Sequence, residues 1–202
     1  MTAKRQKLQS TPSLKFWWLT LGVVLLLTFV VFFPSLQNGF VNYDDTVYVY
    51  ENPYIQSLSS ENLHQIFTKP MAHNYHPLTM LSLAVNYHFS ELNPFGYHLT
   101  NLLLHLANVF WVFWLVFWLS GKRIEMSVIV SLLFGIHPMH VESVAWIAER
   151  KDVLYAFFFL PALIAYIRYI KTRKWSFLVA SLLLFTFSLF SKPAAIILPL
   201  LL

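Results

Sequence analysis

The chain has 202 residues, of which 57% are apolar and only 11% charged, with a mean hydropathy of +0.58 and a net charge of +5. Soluble domains carry about 25% charged residues, so this composition excludes a soluble globular protein and predicts a membrane protein. The absence of cysteine excludes disulfides and thiolate metal sites. The basic excess flanks apolar segments and forms no stripe, which excludes a nucleic-acid surface.

Residues 1–15 form a basic tail with Lys4, Arg5, Lys7 and Lys15, expected on the cytoplasmic side. Residues 16–33 then run without a charge as far as Pro34, long enough to span a bilayer. A secretory apolar region is shorter, about 7 to 15 residues, and no small-residue cleavage site follows, so a retained anchor is expected. Residues 37–97 hold Asp44, Asp45, Glu51, Glu61 and Glu91 against a single basic residue, Lys69, and are expected to form a long first external loop. Within that loop Leu63, Ile66 and Phe67 recur at helical spacing after Ser59 and Ser60, which can cap, and Pro77 opens a second apolar piece ending near Phe89. Both pieces are too short to cross and predict helices lying in the membrane interface.

Further spans are predicted at about 98–119, 126–148, 153–170 and 175–190, with a sixth opening after Pro193. Residues 16–202 thus read as one all-α, multi-span integral membrane bundle. The last apolar run meets Leu202 without a flanking charge or cap, which predicts a fragment of a longer chain. Placing the N-terminus inside and alternating sides puts ten of the fourteen basic residues inside and eight of the nine acids outside, as the positive-inside rule requires. Trp17, Trp18, Trp118 and Trp175 then fall near the inner boundary, as an aromatic belt does. The outer basic residues are Lys69, Arg150, Lys151 and Lys192. The last three sit at membrane ends, where topology alone disfavours them, and they call for an anionic partner.

Chemistry-bearing residues concentrate in HPMHVESVAWIAERKD, residues 137–152. Ionisable groups at a membrane end are costly and mark functional sites. Pro138 lacks an N–H and biases His137 away from helix, so the span is expected to kink or restart there. Were residues 138–151 helical, His140, Val144 and Lys151 would share one face and Glu142, Trp146 and Glu149 the other. That divergence argues against a metal site built from His137, His140 and Glu142, which resembles zinc ligation only superficially. The competing reading has these histidines bonded to backbone or to neighbouring helices. Arg150 and Lys151, read as a short loop with Asp152, suit an anionic lipid or phosphate, with Lys192 as a third donor. Asp44 and Asp45 lie close behind the first span, where one carboxylate can act as general base while the other is structural; NYDD is equally compatible with an Asx turn. His98, Asn101, His105 and Asn108 fall on one face of the second span, which is expected to turn inward, either to line a cavity or to hydrogen-bond other helices.

The stretches GFVNYDDTVYVYENPYI, YHPLTMLSLAVNYHFSELNPFGYHLTNLLLHLAN, LLFGIHPMHVESVAWIAERKDVLYAFFFL and SKPAAIILPL together resemble the membrane half of the transmembrane and tetratricopeptide-repeat O-mannosyltransferases and their bacterial relatives. That resemblance covers residues 16–202 and implies a C-type glycosyltransferase fold with an acidic catalytic motif in its first external loop. It implies transfer of a sugar, commonly mannose, from a polyprenyl or dolichyl phosphate to Ser or Thr hydroxyls of an acceptor protein on the outer or lumenal face. By the same resemblance Asp44 or Asp45 is the base and Arg150, Lys151 and Lys192 hold the leaving phosphate. His137, His140, Glu142, Asp152, His105 and Asn101 support the cavity. No metal and no other cofactor is expected. A bacterial inner membrane is the expected location, or the endoplasmic reticulum in a eukaryote. The family continues through further spans into repeats of about 34 residues that are absent from this sequence. The alternative function is a membrane protein that binds or translocates a lipid-linked sugar without transferring it.

Overall fold

The computed structural model describes residues 14–71 and 74–201, so most of the predicted N-terminal tail lies outside the described residues. The first helix, α1, spans Leu14–Phe32 and runs into a 3-10 turn, Phe33–Gln37, that accommodates Pro34 in its opening positions. Loop residues then wind through a single π-helical turn, Thr46–Tyr50, to α2 (Ser60–Thr68) and α3 (Pro77–Ser90). As the sequence predicts, Ser59 caps α2, its Oγ accepting from Asn62 N–H at 3.2 Å, and Pro77 opens α3, where a missing donor costs nothing. Asn93 caps the next helix and Pro94 begins it, so α4 (Pro94–Leu119) starts inside the stretch predicted as loop.

The predicted third span is not one helix. α5 covers Ile124–Ile136 and stops where Pro138 forces His137 into an extended conformation (φ −64°, ψ 132°). At 1.5 Å per residue its 13 residues reach about 20 Å, short of a bilayer core. A short helix, α6 (His140–Ala145), follows; Trp146 is extended again, and α7 (Arg150–Thr172) begins three residues before its predicted start. Residues 138–151 therefore have no common helical faces, and Arg150, Lys151 and Asp152 form the first turn of α7 instead of a loop. α8 (Trp175–Ser191) leads to a 3-10 turn, Pro193–Ile197, and a final turn, α9 (Leu198–Leu201). Among the described residues three helical segments are long and apolar enough to cross a membrane: Lys15–Gln37, Pro94–Leu119 and Arg150–Thr172. α5 and α8 are apolar but shorter.

α4 is the central element, packing against α1, α3, α5, α6 and α7, while α7 and α8 run along each other as a pair. Its buried face carries Asn101, Leu102, His105, Asn108, Val109 and Val112, the three-and-four spacing of one helix face. Lipid tails are as apolar as the side chains they would replace, so hydrogen bonds and close backbone approach take on much of the packing. Ser181 and Ser188 of α8 donate to the carbonyls of Ala162 and Tyr155 on α7, and Thr79 of α3 donates to the Ser191 carbonyl at 2.8 Å. Gly135 lets α5 approach α1 so closely that a Cβ there would lie 2.4 Å from Thr28 Oγ1. The opposite faces expose Leu19, Leu26, Val30, Leu133 and Leu183, which suits contact with acyl chains.

Three apolar clusters stack along the bundle. One end holds Leu21, Phe113 and Ile124 with Trp17 and Trp114, and Arg168 lies 4.7 Å above the Trp118 ring. The middle holds Phe32, Leu36, Leu102, Val144 and Val153. The far end is a core built from the long loop: Tyr48, Val49, Ile55 and Ile66 pack with Met80 and Leu83 of α3, Tyr97 of α4, and Ile147 and Ala148 before α7. α2 and α3 are thus tied into the bundle through this core, which positions the loop over the start of α7.

Candidate functional site

Arg150 has 0% exposure although it is among the most polar side chains in the sequence. Its guanidinium is consumed by protein oxygens: Nε donates to Asn101 Oδ1 at 2.8 Å, Nη2 to the Tyr97 carbonyl at 2.8 Å, and Nη1 to the Ser82 carbonyl at 3.2 Å and to Asn86 Oδ1. The planar fork thereby joins α7 to both α3 and α4, a task a lysine point charge cannot reproduce. No carboxylate among the described residues pairs with it. Asn101 completes the junction by donating through Nδ2 to the Trp146 carbonyl at 3.0 Å. Asn86, Ser82 and Tyr97 were not singled out in the sequence, and neutral oxygens supplied by distant turns leave no pattern that would have flagged them.

The two adjacent aspartates are placed differently. Asp45 is fully buried, and each carboxylate oxygen accepts a backbone N–H at 2.8 Å, Oδ2 from Val41 and Oδ1 from Ala148. It clamps the loop after α1 to the turn before α7. Burial pushes its carboxyl up from the usual range, and the two N–H donors work against that shift. Asp44 is half-buried, its carboxylate accepts no hydrogen bond among the described residues, and it lies within electrostatic reach of Tyr48 and Lys151.

Lys151 continues the first turn of α7, within electrostatic reach of that carboxylate. Its Nζ is 2.8 Å from Glu149 Oε1 and 5.4 Å from the centre of the Tyr48 ring. Tyr48 in turn stacks on His76 with ring centres 5.2 Å apart and planes 11° from parallel. Burial lowers the His76 pKa to about 4, with Lys151 adding to the effect, and its Nε2 has no hydrogen-bond partner among the described residues. Burial also pushes the Tyr48 phenol up, and Lys151 opposes it. Neither Tyr48 nor His76 was singled out in the sequence; the only local signal is the YHP preceding α3.

Next on α7, Asp152 pairs with Lys192 from the end of α8 and accepts from Ser143 Oγ of α6 at 3.2 Å. This brings together two predicted site residues forty positions apart. A cavity of about 300 Å³ with mixed polar and apolar walls lies beside Asp152, lined by residues of α4, α5, α6 and α7 that include His105, His140, Phe134 and Asp152. His105 and His140 face each other at 5.4 Å, and His105 Nε2 lies 2.9 Å from the Gly135 carbonyl. Burial lowers the His140 pKa, followed by the nearby His137. His137 itself is exposed and its Nδ1 accepts from Met139 N–H, while Glu142 is exposed on α6. All of His98, Asn101, His105 and Asn108 are buried, so the polar face of α4 does turn inward. Among the described residues no three His, Asp or Glu side chains converge as ligands for a metal ion.

The fold and this site define an all-α membrane protein in which a loop carboxylate, Asp44, lies within electrostatic reach of Lys151 on α7, and Lys192 at the end of α8 pairs with Asp152. No family model matches the chain, and no solved structure matches it. Among known proteins it is similar to protein O-mannosyl-transferase Tmtc1 of Drosophila melanogaster, 30% identical over 181 residues, which is 84% of this chain and 20% of the relative. Protein O-mannosyl-transferase TMTC3 of Homo sapiens is 36% identical over 146 residues, 68% of this chain and 16% of that protein. Protein O-mannosyl-transferase TMTC4 of Mus musculus is 33% identical over 174 residues, 76% of this chain and 23% of that protein. The chain is a homologue of the protein O-mannosyl-transferases of the transmembrane and tetratricopeptide-repeat family, and it spans about a fifth of the length of these relatives. The three are animal proteins and lend no support to a bacterial-type assignment.

Proposed function

We propose that the chain forms the catalytic membrane portion of a glycosyltransferase that moves a sugar, mannose by analogy with the relatives' names, from a polyprenyl or dolichyl phosphate to a Ser or Thr hydroxyl of a protein. The observation that carries this reading is the half-buried Asp44 carboxylate, which accepts no hydrogen bond among the described residues and lies within electrostatic reach of Lys151 on the first turn of α7. In the proposed step the acceptor hydroxyl oxygen attacks the anomeric carbon, the hydroxyl proton passes to Asp44, and the bond from that carbon to the phosphate oxygen breaks with its electron pair on the phosphate. One displacement inverts the anomeric centre. Lys151 and Lys192 are the candidates to meet the negative charge that grows on the leaving phosphate, and metal-free chemistry suffices where two ammonium groups take that part.

Two of the expected roles change with the geometry. Asp45 is assigned to the clamp, because both of its oxygens already accept backbone donors, and Arg150 to the junction of α3, α4 and α7, because its donors face protein oxygens. We place the site on the outer or lumenal face and the basic tail in the cytoplasm, following the distribution of charge. The test is transfer of labelled mannose from polyprenyl phosphate mannose to a Ser/Thr peptide by the native gene product. Wild-type transfer that survives in Asp45→Asn but not in Asp44→Asn supports the assignment. Donor binding without sugar release in the wild type would replace it with the lipid-linked-sugar binder.

A further inference from the structure

The end of the bundle away from Asp44 carries a second concentration of charge. α7 begins beside the loop core at Arg150 and ends at Thr172, about 34 Å further on at 1.5 Å per residue. There it lies with the end of α4 and the starts of α5 and α8. Six exposed cations sit on these ends: Lys122, Arg123, Arg168, Lys171, Arg173 and Lys174. The accompanying acid is Glu125 on the first turn of α5, and among the described residues no ion pair engages any of the six. Arg168 stands apart from the other five. Its guanidinium carbon lies 4.7 Å from the centre of the Trp118 ring of α4 and 5.5 Å from that of Phe177 of α8. Two rings therefore hold the group in place by cation–π attraction. Its donors find no hydrogen-bond acceptor among the described residues, whereas Nε, Nη1 and Nη2 of Arg150 all reach protein oxygens.

We propose that Arg168, held over Trp118 and Phe177 among five further cations, binds the headgroup phosphate of a net-anionic phospholipid. Membrane topology asks only for cations at such an end and gives no reason to anchor one guanidinium over two rings. A planar fork with free N–H donors matches phosphate oxygens two at a time. The surroundings place that phosphate at a bilayer boundary. Trp175 is exposed with its ring 6.1 Å from that of Tyr169, as aromatic side chains sit at headgroup level, and the apolar Leu119 and Ile170 are exposed near the cations. Acyl chains thus have an apolar surface to follow where the headgroup meets positive charge. A zwitterionic headgroup would bring its own ammonium among six cations, so the net charge of the lipid decides. The site depends on the membrane fold and not on the transfer reaction.

The experiment measures binding of phosphatidylglycerol and phosphatidylcholine to the native gene product in detergent micelles, with inorganic phosphate as competitor. The expected result is phosphatidylglycerol bound about a hundredfold tighter than phosphatidylcholine, and not displaced by inorganic phosphate at the same concentration. Arg168→Gln should lower that preference about twentyfold, the worth of a charge-assisted pair of hydrogen bonds. Arg173→Gln removes the same charge from the same end and should lower it no more than about fivefold, the share of one basic residue near a charged surface. Should Arg168→Gln lose its thermal transition, Phe177→Leu keeps every charge, frees the guanidinium from one ring, and should lower the preference about threefold. Equal losses in Arg168→Gln and Arg173→Gln overturn the site in favour of general surface attraction, as does a preference untouched by Phe177→Leu. Equal binding of the two lipids by the wild type overturns it outright, and displacement by inorganic phosphate overturns the lipid as its occupant.

Discussion

Arg150→Met tests whether this guanidinium holds the bundle together. The substitution keeps a long unbranched side chain but removes every donor from a residue with 0% exposure. It strands Asn101 Oδ1 and Asn86 Oδ1 and takes a second donor from the Ser82 and Tyr97 carbonyls, which keep their bonds within α3 and α4. Each unsatisfied buried group costs about 1–3 kcal/mol, and rearrangement or water entry recovers part of the sum. Removing the buried charge itself offsets some of this, since its desolvation no longer opposes folding. A net loss of about 3–5 kcal/mol is expected, a large share of a typical domain stability of about 5–15 kcal/mol. Arg150→Lys should recover little, because one ammonium cannot span both α3 and α4. The assay is the unfolding midpoint of the purified chain in detergent, followed by tryptophan fluorescence. Stability of Arg150→Met within about 0.5 kcal/mol of wild type, the scatter of ordinary surface changes, would refute the junction and return Arg150 to the donor phosphate.

Lys151→Ala removes a half-buried ion pair and should cost at most about 1 kcal/mol of stability while weakening binding of polyprenyl phosphate; an unchanged affinity would remove Lys151 from the site. Asp45→Asn turns one accepting oxygen into a donor facing a backbone N–H, so a loss of about 1–3 kcal/mol is expected, and wild-type stability would contradict the clamp. His76 stays neutral in the fold down to about pH 4, whereas the unfolded chain protonates near 6.5. The stability it contributes is complete above about pH 6.5 and falls as pH drops toward 4, by about 3 kcal/mol in all; His76→Phe should flatten that limb of the stability profile, and an unaltered limb would refute it. Gly135→Ala should cost about 1–3 kcal/mol by crowding Thr28 Oγ1, and Gly135→Ala combined with Thr28→Ala should recover most of it; failure to recover would place the strain elsewhere.

Length and apolarity alone gave α1 and α4, and the missing N–H of Pro138 announced the break after α5. The restart at Arg150 was hidden because the turn before it is as apolar as a span: Ile147 and Ala148 are buried in the loop core and not in a helix. Asp44 and Asp45 are indistinguishable in sequence, since the N–H that selects Asp45 belongs to Ala148, 103 residues away. Arg150 and Lys151 likewise look alike as a basic pair. Only the helical turn that rotates one inward among α3 and α4 oxygens and the other toward Tyr48 separates a staple from a candidate ligand. The inward polar face of α4 was legible from spacing, but its partners, Gly135, Trp146 and Val153, are backbone carbonyls that carry no sequence signal.

The central claim is that Asp44 takes the acceptor proton. Single-turnover transfer of mannose from polyprenyl phosphate mannose to a Ser/Thr peptide, by the native gene product and its Asp44→Asn variant at saturating donor, tests it directly. The account predicts a rate about 10²–10⁴-fold lower in the variant with donor affinity unchanged, the usual worth of a general base. An Asp44→Asn variant that transfers at the wild-type rate would contradict it.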